Sequence, residues 1–121
     1  MINFSEAISQ FKDLPSVEGI LITDTDGMVV GNAFLDKDLS SLIAPTMYEM
    51  LLDITKHMTK VGENANQVCL ILSKKLIIIQ PVYDTILIIY TQKKNLGLLQ
   101  SRIKSAVGIL QSIARQESLT T

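Results

Sequence analysis

The segment Leu14-Pro15-Ser16-Val17-Glu18-Gly19-Ile20-Leu21-Ile22-Thr23-Asp24-Thr25-Asp26-Gly27-Met28-Val29-Val30 decides the fold. Gly19 to Thr23 is apolar, β-branched and unbroken, which predicts a buried strand. Met28 to Ala33 predicts a second strand. Between them, Asp24-Thr25-Asp26-Gly27 has the chemistry of a tight hairpin: Asp side chains bond nearby amides and Gly supplies a positive φ. A hairpin near the front of the chain sets the sheet that everything else must cover.

Upstream, Asn3 is placed to cap a short helix, with Glu6 completing a capping box. Phe4, Ala7, Ile8 and Phe11 share one face at helical spacing, and Pro15 stops the helix. Downstream, Asp36-Lys37-Asp38 supplies a cap, and a long helix follows to about Val61, where Gly62 ends it. Pro45 implies either a kink in that helix or a new start at its first position, with the kink favoured. Three strands follow, Gln67 to Ser73, Leu76 to Gln80 and Thr85 to Thr91. Their short connections, Lys74-Lys75 and Pro81-Val82-Tyr83-Asp84, require antiparallel neighbours. Leu76-Ile77-Ile78-Ile79 and Ile86-Leu87-Ile88-Ile89 are apolar on both faces, so helices must cover both sides of the sheet. Asn95 caps a last helix with Leu96, Leu99, Ile103, Ala106, Leu110 and Ile113 along one stripe, and Gly97 is expected to allow close helix–sheet packing. Residues 117–121 read as a frayed tail. The order is α-β-β-α-β-β-β-α, a single α+β domain over residues 1–121.

The second helix has more apolar surface than one contact needs. On a wheel of about 100° per residue, Leu39, Ile43, Met47, Met50, Ile54, Met58 and Val61 cover one core-facing arc. Ala44, Tyr48, Leu51 and Leu52 continue around one flank, leaving Glu49, Asp53, Lys56 and Lys60 in the narrow polar remainder. Two explanations compete: a helix sunk in its own core, or a second contact surface. The second is favoured, because exposed apolar patches mark interfaces and a C2 dimer is the commonest cover. The strand from Gln67 to Ser73 begins the meander, lacks proline and central charge, and needs a cover as a sheet edge. The expected dimer interface is therefore Ala44, Tyr48, Leu51, Leu52 and Thr55 with Gln67, Cys69 and Ile71.

Composition narrows the function. The chain has 121 residues, is 47% apolar and carries a net charge of −1; mean hydropathy is +0.30 and the isoelectric point about 5.7. No basic stripe suits nucleic acid. The single cysteine, Cys69, forms no internal disulfide and suits a reducing compartment. The longest apolar runs, Val68 to Leu72 and Ile86 to Tyr90, are far short of a membrane span. Neither a signal peptide nor a lipidation motif is expected, so the reading is cytoplasmic, with membranes reached only through partners.

Catalytic vocabulary is sparse. Ile20 to Gly27 faintly resembles the nucleophile strand of haloacid-dehalogenase phosphatases, but no later acidic pair is available to bind magnesium, and Met28 replaces the usual Thr. A calcium loop at Asp24 and Asp26 lacks its later ligands. His57 reads as a solvated helix residue, Cys69 as a buried structural thiol, and Arg102 and Arg115 as salt-bridging residues in preference to an arginine finger. Lys74-Lys75 and Lys93-Lys94 read as solvated turns. No catalytic residue, cofactor or metal site is expected.

These features together resemble the roadblock (dynein light-chain type) family. The likeness covers essentially the whole chain and rests on Leu14 to Gly19 with the Asp24 to Gly27 turn, the long helix ending in Lys60-Val61-Gly62, and Asn95-Leu96-Gly97-Leu98. Leu14 to Gly19 and Pro45 are most similar to the MAP-kinase-scaffold subunit of the late-endosomal Ragulator complex. The resemblance implies a five-stranded antiparallel sheet of order 2-1-5-4-3, the first and last helices on one face and the second on the other. It also implies homo- or heterodimers through the second helix and third strand, and binding of Ras-like small GTPases without a catalytic constellation. The expected function is a non-enzymatic dimeric regulator or scaffold, with Glu49, Asp53, Lys56 and Lys60 as a GTPase-facing rim. A profilin- or PAS-like ligand- or peptide-binding module is the alternative, and a small magnesium-dependent phosphatase a remote one.

Overall fold

The computed structural model describes residues 3–120, with side chains to residue 117. The elements in chain order are α1 (Phe4–Ser9), β1 (Val17–Asp24), β2 (Val29–Phe34), α2 (Lys37–Lys60), β3 (Val68–Ile71), β4 (Lys75–Val82), β5 (Thr85–Gln92) and α3 (Leu96–Thr120). The strands form one sheet of order β2-β1-β5-β4-β3, every neighbour antiparallel. Order and topology are those the sequence and the resemblance predict. The tail expected to fray over residues 117–121 falls in the last turn of α3 and, at Thr121, outside the described residues.

Local chemistry explains the boundaries. Asn3 Oδ1 accepts from the backbone N–H of Ser5 at 3.0 Å and of Glu6 at 3.3 Å, capping α1. The helix is shorter than its apolar spacing suggests; Phe11 and Leu14 belong to the turns that carry the chain to Pro15. In the hairpin, Asp24 Oδ1 accepts from the N–H of Asp26 and of Met28, both at 2.9 Å, and Gly27 takes φ +85°. Asp36 caps α2 through Leu39 N–H at 3.1 Å. At its other end, Glu63 N–H donates to Met58 carbonyl and Gly62 N–H to Thr59 carbonyl with Gly62 at φ +77°, a Schellman closure. The helix runs unbroken through Pro45, which excludes a fresh start at that residue. Asn95 starts α3 differently from expectation. It sits at φ +55°, which Asn tolerates better than most residues, and its backbone carbonyl accepts from Leu99 N–H at 2.9 Å.

The two-faced strands split the core in two. Leu87 and Ile89 join Ile20, Ile22 and Ile78 beneath α1 and α3, whose Ala7, Leu99, Ile103, Ala106, Leu110 and Ile113 are buried there. Ile86 and Ile88 join Leu21, Ile77 and Ile79 beneath α2. Burying each such aliphatic side chain contributes about 1.5–3 kcal/mol, which offsets the entropy of ordering the chain. Leu96 is the outlier of the α3 stripe at 44% exposed. Gly97 has open space where a Cβ would stand, so it serves no close packing.

Candidate functional site

Isolated polar groups that sequence could read as chemistry have structural employment. Both amide contacts of Asp24 build the hairpin, which leaves it a turn residue. Arg102 clamps the turns after α1 to α3: its guanidinium donates to both carboxylate oxygens of Asp13, at 2.5 and 2.8 Å, and to the carbonyl of Gln10 at 2.9 Å. That hydrogen bonding holds the Asp13 carboxyl below its ordinary range and raises the guanidinium. His57 is exposed on α2, 3.5 Å from Asp53 one turn earlier. Among the described residues, no three His, Cys, Asp or Glu side chains gather as a metal site.

Two polar expectations are corrected. Lys75 is not a solvated turn residue. It opens β4, pairs with Glu18 of β1, and lies 5.9 Å from the Tyr90 ring centroid. Gln92 of β5 donates to the same Glu18 oxygen at 3.0 Å, so one carboxylate ties three strands together. The Lys75 hydrogen bond, then that of Gln92, holds Glu18 below the ordinary glutamate range. Cys69 is exposed, not buried. It points to the α3 side of β3, where Ile71 on the same face is exposed as well.

The α2 surface divides into three strips. Ser40, Ile43, Ala44, Met47 and Leu51 are buried against the sheet. Ala44 and Leu51, expected at a dimer interface, are therefore consumed by the protein's own core. Tyr48 is also turned inward: its hydroxyl donates to the Thr25 carbonyl at 2.5 Å and its ring packs on Gly27 of the β1–β2 hairpin. Leu52 and Thr55 lie beyond it, lining a cavity of about 330 Å³ with Thr25, Ala65 and Tyr83 at one end of the sheet. The direction of that flank is set by Tyr48, which reaches toward the β2 side and away from β3.

The opposite flank carries Met50 and Ile54, half-buried, with His57 and Val61 continuing the same helical strip, Val61 68% exposed. Below it, Val68 and Leu70 of β3 pack partly into the α2 core, while Gln67, Cys69 and Ile71 are exposed on the strand's other face. Among the described residues, β3 has β4 as its single strand neighbour. Glu49, Asp53, Lys56 and Lys60 are all exposed on the outer strip of α2, as expected. The structure thus joins an unpaired strand edge to the Met50 strip. The sequence wheel missed this because it located the apolar excess without saying which flank faced β3; the signal was Tyr48, whose hydroxyl needed a partner that the hairpin supplies.

This architecture is that of a roadblock-type domain. MglB from Myxococcus xanthus superposes with a TM-score of 0.82 over 93% of this chain and 95% of that one, at 20% identity. The Roadblock/LC7 domain from Streptomyces avermitilis gives 0.75 over 94% of each chain at 16% identity. MglC from Myxococcus xanthus gives 0.62 over 90% and 97% at 13% identity. No curated protein matches the sequence. Residues 4–116 match the family described as mitogen-activated protein kinase kinase 1 interacting, and the chain belongs to that roadblock-type family.

Proposed function

We propose that this protein is a dimeric, non-enzymatic regulator or scaffold that holds a Ras-like small GTPase on a platform of two α2 helices. The observation that carries this reading is the junction of the unpaired β3 edge with the Met50–Ile54 strip. Antiparallel pairing of two β3 edges would continue the sheet across a two-fold axis and set the α2 helices side by side. The partner's Met50, Ile54 and Val61 then cover Val68 and Leu70. Glu49, Lys56 and Lys60 stay on the solvent side, available to a third protein, and Asp53 with His57 borders the seam. Such a platform would act on a GTPase by ordering its switch segments. The family and the shared fold support this reading.

The test is a pull-down with the purified protein in lysate loaded with GDP or with a non-hydrolysable GTP analogue, read by mass spectrometry. Enrichment of a small GTPase in one nucleotide state supports the proposal. Recovery of roadblock-type chains alone, indifferent to nucleotide, replaces it with a purely scaffolding role.

A further inference from the structure

The sheet has a second open edge, β2, on the side away from β3. We infer that β2 and the groove beside it form a docking site for an extended, apolar protein segment bearing an acidic side chain. The inference is independent of the dimer and of any GTPase.

Three observations carry it. First, among the described residues Val29-Val30-Gly31-Asn32-Ala33-Phe34 pairs only with β1 and contains neither charge nor proline, two of the usual devices that blunt an edge; a bulge at Val30 interrupts its hairpin end and leaves Gly31 to Phe34 as the regular stretch. The ladder even extends one residue further, Leu35 N–H donating to Glu18 carbonyl at 3.0 Å. On such an edge about half the residues turn both amide and carbonyl outward, a template for one more strand. Second, a groove of about 310 Å³ opens between that edge and α1, walled by Ile8, Phe11, Leu14, Val17, Ala33 and Leu35. Leu35 is 82% exposed and Met28, at the other end of the edge, 66%. A strand presents alternate side chains to one face, so every second residue of an added strand would enter the groove. Third, the charge balance selects an acid. Asp13 is held by Arg102 and Glu18 by Lys75 and Gln92. Lys12, on the groove's rim, has no ion-pair partner among the described residues.

A fluorescein-labelled seven-residue peptide alternating valine with threonine, with one glutamate, serves as probe in anisotropy titrations and amide-shift mapping on the full chain. The expected result is saturable binding below about 1 mM, with shifts confined to the β2 edge and the Lys12–Leu14 turn. Lys12→Glu, at an exposed position, should weaken binding about fivefold and reverse the preference toward a lysine-bearing analogue. Leu35→Asp should weaken both peptides, and N-methylation of the probe's pairing amides should abolish binding. Absence of saturation, shifts centred on β3, self-association through β2, or equal binding of the N-methylated probe each overturns the inference.

Discussion

Gly19 lacks a side chain because Phe34 lies where one would go. A Cβ there would stand 2.4 Å from the Phe34 ring, which stacks on Tyr90 at 5.9 Å between centroids. Gly19→Ala must displace that ring, and we expect a loss of about 1–3 kcal/mol in urea unfolding; an unchanged midpoint would mean the ring moves freely. One residue earlier, Glu18 gives the fold a pH dependence of definite sign. Its folded pKa lies below its unfolded value, so the stabilisation is complete above about pH 4.3 and is lost as pH falls through the folded value. Asp13 acts in the same direction. Glu18→Gln should therefore be less stable than the natural chain at neutral pH, with the gap closing in acid. A gap that stays constant from about pH 7 to about pH 3 would show that the charge on Glu18 adds nothing. The cluster of Glu18, Lys75 and Gln92 is not legible in the sequence, because Lys75 and Gln92 lie 57 and 74 residues from Glu18 and meet it only through sheet order.

Helix α2 keeps a proline in its interior, where the missing N–H leaves the Ser41 carbonyl without its helical donor and the ring crowds that carbonyl. Pro45 itself is exposed, so its removal opens no cavity. Pro45→Ala should stabilise the domain by about 1–3 kcal/mol in chemical denaturation, and a loss would show that the proline helps to seat α2 on the sheet. The same helix shows how far sequence reading reaches. Its caps, Asp36 and Gly62, are spelled in residue types that fit one local geometry, and both hold. Strand existence was equally plain in β4 and β5, because four consecutive aliphatic residues in a short antiparallel strand demand cover on both faces. What a wheel cannot supply is azimuth: whether Tyr48 or Met50 turns toward β3 depends on where the hairpin delivers Thr25. Burial of Cys69 failed for a related reason, since a strand's composition does not say whether a helix extends far enough to cover it.

Among the described residues, the molecule is a sheet with helices on both faces and two unpaired edges, and its proposed assembly uses the β3 edge. If two copies join through β3 and the Met50–Ile54 strip, thermal stability should rise with protein concentration, because association binds only the folded state. Met50→Glu would place a charge in the seam and return the chain to a monomer in sedimentation equilibrium, while far-UV circular dichroism stays unchanged. Leu52→Glu, on the flank beyond Tyr48, should leave the dimer intact. If Leu52→Glu dissociates it and Met50→Glu does not, the seam lies on the Leu52 flank of α2 instead. The outer strip separates assembly from partner binding. Glu49→Lys combined with Lys56→Glu leaves net charge unaltered and touches no residue of the seam, so the dimer should survive. A GTPase that uses the platform should then bind at least about tenfold more weakly, a difference of about 1.4 kcal/mol readable by calorimetry. Unaltered affinity with an intact dimer would move the GTPase off the α2 face while leaving the β3 seam standing.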